Sequence, residues 1–159
     1  MIHHISIDAY NPLRVAGVLA EILKGKVYKF LIPGSYIVMP FDNYGTHFVV
    51  FKAGDVWIPG TDTQSAKVIQ TTPTNFVASH AAISVPTTHQ QIEQIGQREG
   101  WRTLTRQAGD APFSAIEFWV EDRILLEFLP PEFVPQYLQT MQPDVMEQIL
   151  GQPIEPIAA

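Results

Sequence analysis

Two stretches of this chain share one pattern. Met1-Ile2-His3-His4-Ile5-Ser6-Ile7-Asp8 opens it, and Val77-Ala78-Ser79-His80-Ala81-Ala82-Ile83-Ser84-Val85 restates the pattern, with His80 standing 76 residues after His4. Each is a short β-branched-rich run with a histidine near its start, and a helical pattern follows each. The interval is close to half of the 159 residues. A chain that restarts at its midpoint reads as two copies of one unit.

The alternation from Ile2 to Asp8 has the period of a strand with two unlike faces. Ile5 and Ile7 point one way; His4, Ser6 and Asp8 point the other. Asn11-Pro12 supplies a capping side chain and a proline at the first helical position. Val15, Val18, Leu19, Ile22 and Leu23 follow at helical spacing, with Gly25 as the expected stop. Residues 27–31, 36–41 and 46–51 read as strands, divided by turns at Pro33-Gly34 and Asp42-Asn43-Tyr44-Gly45. In the second copy a helix over 89–99 closes at Gly100. Strands over 101–107, 113–121 and 124–129 follow, with turns at Gly109-Asp110 and Glu121-Asp122-Arg123.

Both units therefore read β-α-β-β-β. The predicted organisation is one domain over 1–131, with modules at about 2–54 and 76–130. The connector at 55–75 is rich in Thr, Gly, Pro and Gln and has little periodicity; Trp57 and Ile58 would tack it to the body. Residues 132–159 form a C-terminal helical extension, interrupted at Pro135 and Pro143, suited to capping the body or a second copy in a homodimer.

Composition closes off several functions. A net charge of −6 argues against nucleic acid, whose binding rests on a basic face. No run approaches the ~18 apolar residues of a membrane span. The opening has no basic segment ahead of an apolar one, so no secretory signal is expected, and a cytoplasmic location follows by default. The absence of cysteine excludes disulfides, thiolate nucleophiles and thiolate metal sites. There is no glycine-rich phosphate loop and no nucleophile elbow.

One residue breaks the apolar pattern of a strand. In Ile124-Leu125-Leu126-Glu127-Phe128-Leu129 a carboxylate sits among aliphatic and aromatic side chains. Burying it unpaired is costly, so it needs a cation, a hydrogen-bond partner or a proton. A divalent metal held by two imidazoles would serve, and so would a guanidinium such as that of Arg102 or Arg106. Laying Thr46-His47-Phe48-Val49-Val50-Phe51 over that strand sets Val49 against Glu127 at an offset of 78, near the 76 of the two histidines. Trp57, Trp101, Trp119, Phe118 and Tyr36 could line a pocket, although strand aromatics more often fill cores. Glu117 shares its strand with Trp119 and is a candidate general base. Asp8 lies roughly 13 Å along the strand from His4, too far to share a metal with it. His3 and His89 read as surface residues.

Two β-α-β-β-β units in a chain of this length resemble the vicinal oxygen chelate superfamily, which includes glyoxalase I, bleomycin-resistance proteins and extradiol dioxygenases. The resemblance covers about residues 2–130. It implies an α+β fold in which two βαβββ modules form a curled mixed sheet around a cleft. It also implies metal ligands from the first and last strands of each unit: His4, His80 and Glu127, with a divalent Fe, Zn, Ni or Mn as the ion. Two histidines and one carboxylate match the facial triad that leaves positions open for substrate. The fourth position is Val49, which cannot ligate; only a shifted register would let His47 replace it. Two expectations follow. One is a metal-dependent lyase, isomerase or dioxygenase with Glu127 and Glu117 in catalytic roles. The other is a metal-free protein of the same fold that binds or sequesters a small molecule.

Overall fold

The computed structural model describes residues 2–107 and 112–153. The first unit is β1 (His4–Ala9), α1 (Pro12–Leu23), β2 (Lys26–Lys29), β3 (Tyr36–Met39) and β4 (His47–Lys52). A hairpin, β5 (Asp55–Ile58) and β6 (Lys67–Gln70), leads to the second unit. That unit is β7 (Ala81–Ser84), α2 (His89–Glu99), β8 (Thr103–Arg106), β9 (Ala115–Val120) and β10 (Ile124–Leu129). Helices α3 (Val134–Thr140) and α4 (Pro143–Leu150) close the chain. The four-stranded sheets have equivalent orders, β1-β4-β3-β2 and β7-β10-β9-β8. The fold is thus the expected α+β pair of βαβββ units.

The registers carry the equivalence to single residues. In the parallel pair β1–β4, Ser6 lies opposite Val49; in β7–β10, Ala82 lies opposite Glu127. Ser6 and Ala82 each stand two residues after their histidine, so Val49 and Glu127 occupy corresponding places. In each sheet one face packs on its helix and the other faces away from it. Ile7, Ala9, Val38, Phe48 and Val50 meet Val15, Leu19 and Ile22 of α1 in the core. Ile116, Phe118, Leu126 and Phe128 do the same with Ile92 and Ile95 of α2. His4, Ser6 and Asp8 take the face away from α1, as their alternation with Ile5 and Ile7 requires.

The two units share one core, and polar contacts sew it shut. Thr87 Oγ1 donates to the Ile22 carbonyl at 2.6 Å, while Arg14 pairs with Glu99 and Arg98 with Glu21, each at 2.7 Å. The Glu121 carboxylate, in the β9–β10 turn, accepts the backbone N–H groups of Tyr10 and Asn11 at 2.6 and 2.8 Å. It thereby places negative charge at the N-terminus of α1, where the helix dipole favours it.

Several expectations need correction. The connector is not featureless: its four-residue strands pair antiparallel, too short for periodicity to reveal. Lys24 rather than Gly25 takes the left-handed cap of α1 (φ 53°). Gly25 is needed because a side chain there would press on the Met39 carbonyl. His80 lies just ahead of β7, not within a strand. His89 opens α2 but is half-buried, hydrogen-bonded to Glu93 and Thr105. The helical tail breaks at Pro143 as expected, between α3 and α4, and Pro143 begins the second helix; Pro135 interrupts nothing and sits in the first turn of α3, where a missing N–H costs nothing. The turn expected at Gly109-Asp110 lies outside the described residues. Among those described, no helix is long and apolar enough to cross a membrane.

Candidate functional site

Glu127 is held centrally in β10, opposite Ala82 on one side and Glu117 on the other. Its side chain is 8% exposed, so its charge requires a partner. That partner is Arg106, the last residue of β8, whose Nη2 donates to Oε1 at 2.7 Å. The guanidinium also lies over the Phe113 ring, 5.3 Å from its centre. The second oxygen, Oε2, is 4.0 Å from Nε2 of His80, beyond hydrogen-bonding range. Two carboxylates directly across a strand pair repel. Arg106, diagonal to Glu117 in the β8–β9 register, offsets that repulsion.

His4 is engaged elsewhere. It lies opposite His47 in the parallel register, and the two imidazoles stack with centres 4.7 Å apart and planes 14° apart. His47 Nδ1 is 2.9 Å from the Gly45 carbonyl, which can only accept, so that nitrogen carries the proton. The β1–β4 register is regular, so His47 does not take the place of Val49. His4, His47 and His80 border one groove with Tyr137 of α3. Among the described residues, however, no three His, Asp or Glu side chains are grouped so as to hold a metal ion. As arranged, the donors do not fit a divalent ion. One glutamate oxygen already holds a guanidinium, and a dication beside that guanidinium would be repelled by it.

A cavity of about 280 Å³ opens between the modules. The edge of β1 (Ile5, Ile7) forms one wall, and Ile124 and Leu126 form another. The third wall is the β5–β6 hairpin, whose half-exposed Trp57 stands edge-on to Phe51 at 5.9 Å. His80 is at the rim. Trp101 and Phe118 are core residues, as strand aromatics usually are.

Asp8, too far along β1 from His4 to share a metal with it, lines this cavity. Its Oδ2 accepts the Gly54 N–H at 2.9 Å and stands 3.3 Å from Nη2 of Arg123. Gly54 has φ 88°, and any side chain there would run into the Thr71 carbonyl. Arg123 is 7% exposed, donates to the Thr74 carbonyl at 2.7 Å, and lies over the Tyr10 ring. The alternation of β1 puts Asp8 on the face away from α1. Nothing in sequence spacing shows that a hairpin and a turn from the other module close over it.

The architecture is that of the vicinal oxygen chelate superfamily, to which its structural neighbours belong. Those neighbours are fosfomycin resistance proteins and integron cassette proteins. The FosX protein of Listeria monocytogenes, complexed with Mn(II) and sulfate, superposes with a TM-score of 0.56 at 10% identity, covering 89% of this chain and 98% of that one. A mutant of the same protein, with Mn(II) and 1S,2S-dihydroxypropylphosphonic acid, gives 0.54 at 13% identity over 87% and 97%. An integron cassette protein from the mobile metagenome of V. cholerae gives 0.50 at 10% identity over 82% and 94%. At these identities the likeness is one of fold. No protein-family model and no curated protein matches the sequence.

Proposed function

We propose that this chain is a small-molecule-binding protein of the vicinal oxygen chelate fold that takes its ligand between the two modules without a resident metal. The observation that carries this reading is the 2.7 Å pair between Arg106 and Glu127. The guanidinium supplies the positive charge that the buried carboxylate requires, so no metal is needed to stabilise it. Cavity walls of this kind, apolar with a few placed polar groups, are those of ligand sites in general. The test is elemental analysis of protein purified without chelator and then incubated with Mn(II). Less than about a tenth of an ion per chain is the expected result; one tightly held ion per chain would overturn the proposal.

A second reading is favoured by one distance, the 4.0 Å between His80 and Glu127. On it, these two residues and His4, which borders the same groove as His80, form a divalent-ion site (Fe, Zn, Ni or Mn), with Glu117 as general base in lyase, isomerase or dioxygenase chemistry. It draws on the Mn(II) in the FosX complexes. Alanine at Glu127 would then abolish metal binding. Unchanged metal content in that variant would remove it.

A further inference from the structure

We infer that the inter-module cavity selects a compact, largely apolar ligand carrying a neutral hydrogen-bond donor, and that Asp8 is the residue that reads the donor. This rests on the proposal that the cavity is a ligand site and adds the chemistry of its occupant. At about 280 Å³ the cavity lies at the bottom of the range for small-molecule sites, roughly 300–1,000 Å³. That suits a body of one or two fused rings. The walls that would meet such a body are mainly apolar, with Ile5, Ile7, Val56, Trp57, Val77 and Ile124; Asp55, His80 and three threonines share the lining.

Asp8 determines the polar end. A carboxylate offers about four acceptor positions. Oδ2 accepts from Gly54 and stands near Arg123, whereas among the described residues Oδ1 has only a 3.5 Å contact to Arg123, at the limit of a hydrogen bond. Asp8 is 23% exposed on its side chain and lines the cavity, while Arg123 stands behind it. A donor entering the cavity therefore finds an under-used carboxylate oxygen.

At Asp8 the same pair disfavours charged groups. Arg123 already offsets the charge of Asp8, so an ammonium placed there would gain little net attraction and would sit close to a guanidinium. An anion would meet the carboxylate first. A hydroxyl or ring N–H avoids both penalties. Hydrogen bonds to charged groups are the strong ones, and a partner that leaves such a group unsatisfied is disfavoured.

Indole and benzofuran, nearly isosteric and differing in the N–H, make the test when titrated calorimetrically into the full-length protein. Indole is expected to bind about 10–100-fold more tightly. Asp8→Ala should bring indole down to the affinity of benzofuran. Trp57→Ala, which leaves Asp8 and its partners in place, should weaken both ligands. Equal binding of the two compounds by the wild-type protein would overturn the role of Asp8 while leaving the cavity as a ligand site. If neither binds at millimolar concentration, the ligand-site proposal itself falls, and this inference with it. Unchanged affinities in Trp57→Ala would place binding elsewhere and overturn it as well.

Discussion

Where β4 and β10 correspond, the first module carries Val49 and the second Glu127, and the surroundings differ to match. Val49 is 3% exposed and faces Ser6 and Ile37 across its strands. Glu127 is about as deeply buried, yet Arg106 comes to it from β8. One scaffold thus holds an apolar position in one half and a neutralised charge in the other. What separates them is the residue two strands away: Arg106 stands two residues beyond Leu104, whereas the matching place in the first module, two residues beyond Tyr28, is Phe30. At the first-strand histidines the pattern inverts: His4 stacks on another imidazole, while His80 is left half-exposed beside a carboxylate.

The largest expected effects come from exchanging these environments. Arg106→Ala strips the buried carboxylate of its cation and should cost about 3 kcal/mol in urea unfolding at neutral pH. Val49→Glu should cost at least as much, because the first module has no guanidinium at the equivalent place. The double replacement Glu127→Val with Arg106→Leu makes the second module resemble the first and should fall within about 1 kcal/mol of wild type. A cost below about 0.5 kcal/mol for Arg106→Ala would mean that something other than Arg106 neutralises Glu127, and the comparison would break.

The sequence made the frame legible because its signals are repetitive. Histidine, alternating strand, capped helix and three strands recur at matched offsets, and β10 and α2 were delimited to the residue. Glu127 is conspicuous as a charge in an apolar strand, and Arg106 is one of two arginines whose place in the chain suits it as a partner. The rest depended on contacts that spacing does not encode. His4 stacks on His47 because β1 and β4 pair in one particular register, and a shift by two residues would have brought Ser6 to that place. Asp8 became part of a cavity only because the β5–β6 hairpin folds over it and Arg123 arrives from a turn more than a hundred residues away. At Pro135 the local sequence fits a helix start as well as an interruption, and only the contacts of α3 distinguish the two.

The helices sharpen the comparison at a smaller scale. Each carries one interior glycine. Gly17 of α1 is exposed, and a methyl group there meets nothing within 4 Å; Gly96 of α2 is buried, and a methyl group there collides with the Thr103 side chain. Gly17→Ala should therefore stabilise the protein by about 0.4–1 kcal/mol. Gly96→Ala should destabilise it by about 1–3 kcal/mol, since overpacking forces strand β8 outward. Thermal unfolding of the pair decides it. Effects of the same sign would mean that the two helices pack alike on their sheets.

The smallest effect tests the seam between the modules. Burial pushes the Glu99 carboxyl up, but Arg14 and Arg98 outweigh it and hold the group below its ordinary value of 4.5. A carboxyl depressed in the folded state adds stability that is complete above its unfolded value and is lost as the pH falls through the folded one. Both arginines are about half exposed, so solvent screening keeps the contribution under about 1 kcal/mol. Glu99→Gln should accordingly be less stable than wild type at pH 7, and the gap should close as the pH falls below the ordinary value of 4.5 in urea titrations. Arg14 belongs to α1 and Glu99 to α2, so the part of this pH-linked gap that Arg14→Ala removes reports a contact between the two modules, and the rest comes from Arg98. A gap that stayed constant as the pH fell would mean that Glu99 acts through packing and not through its charge.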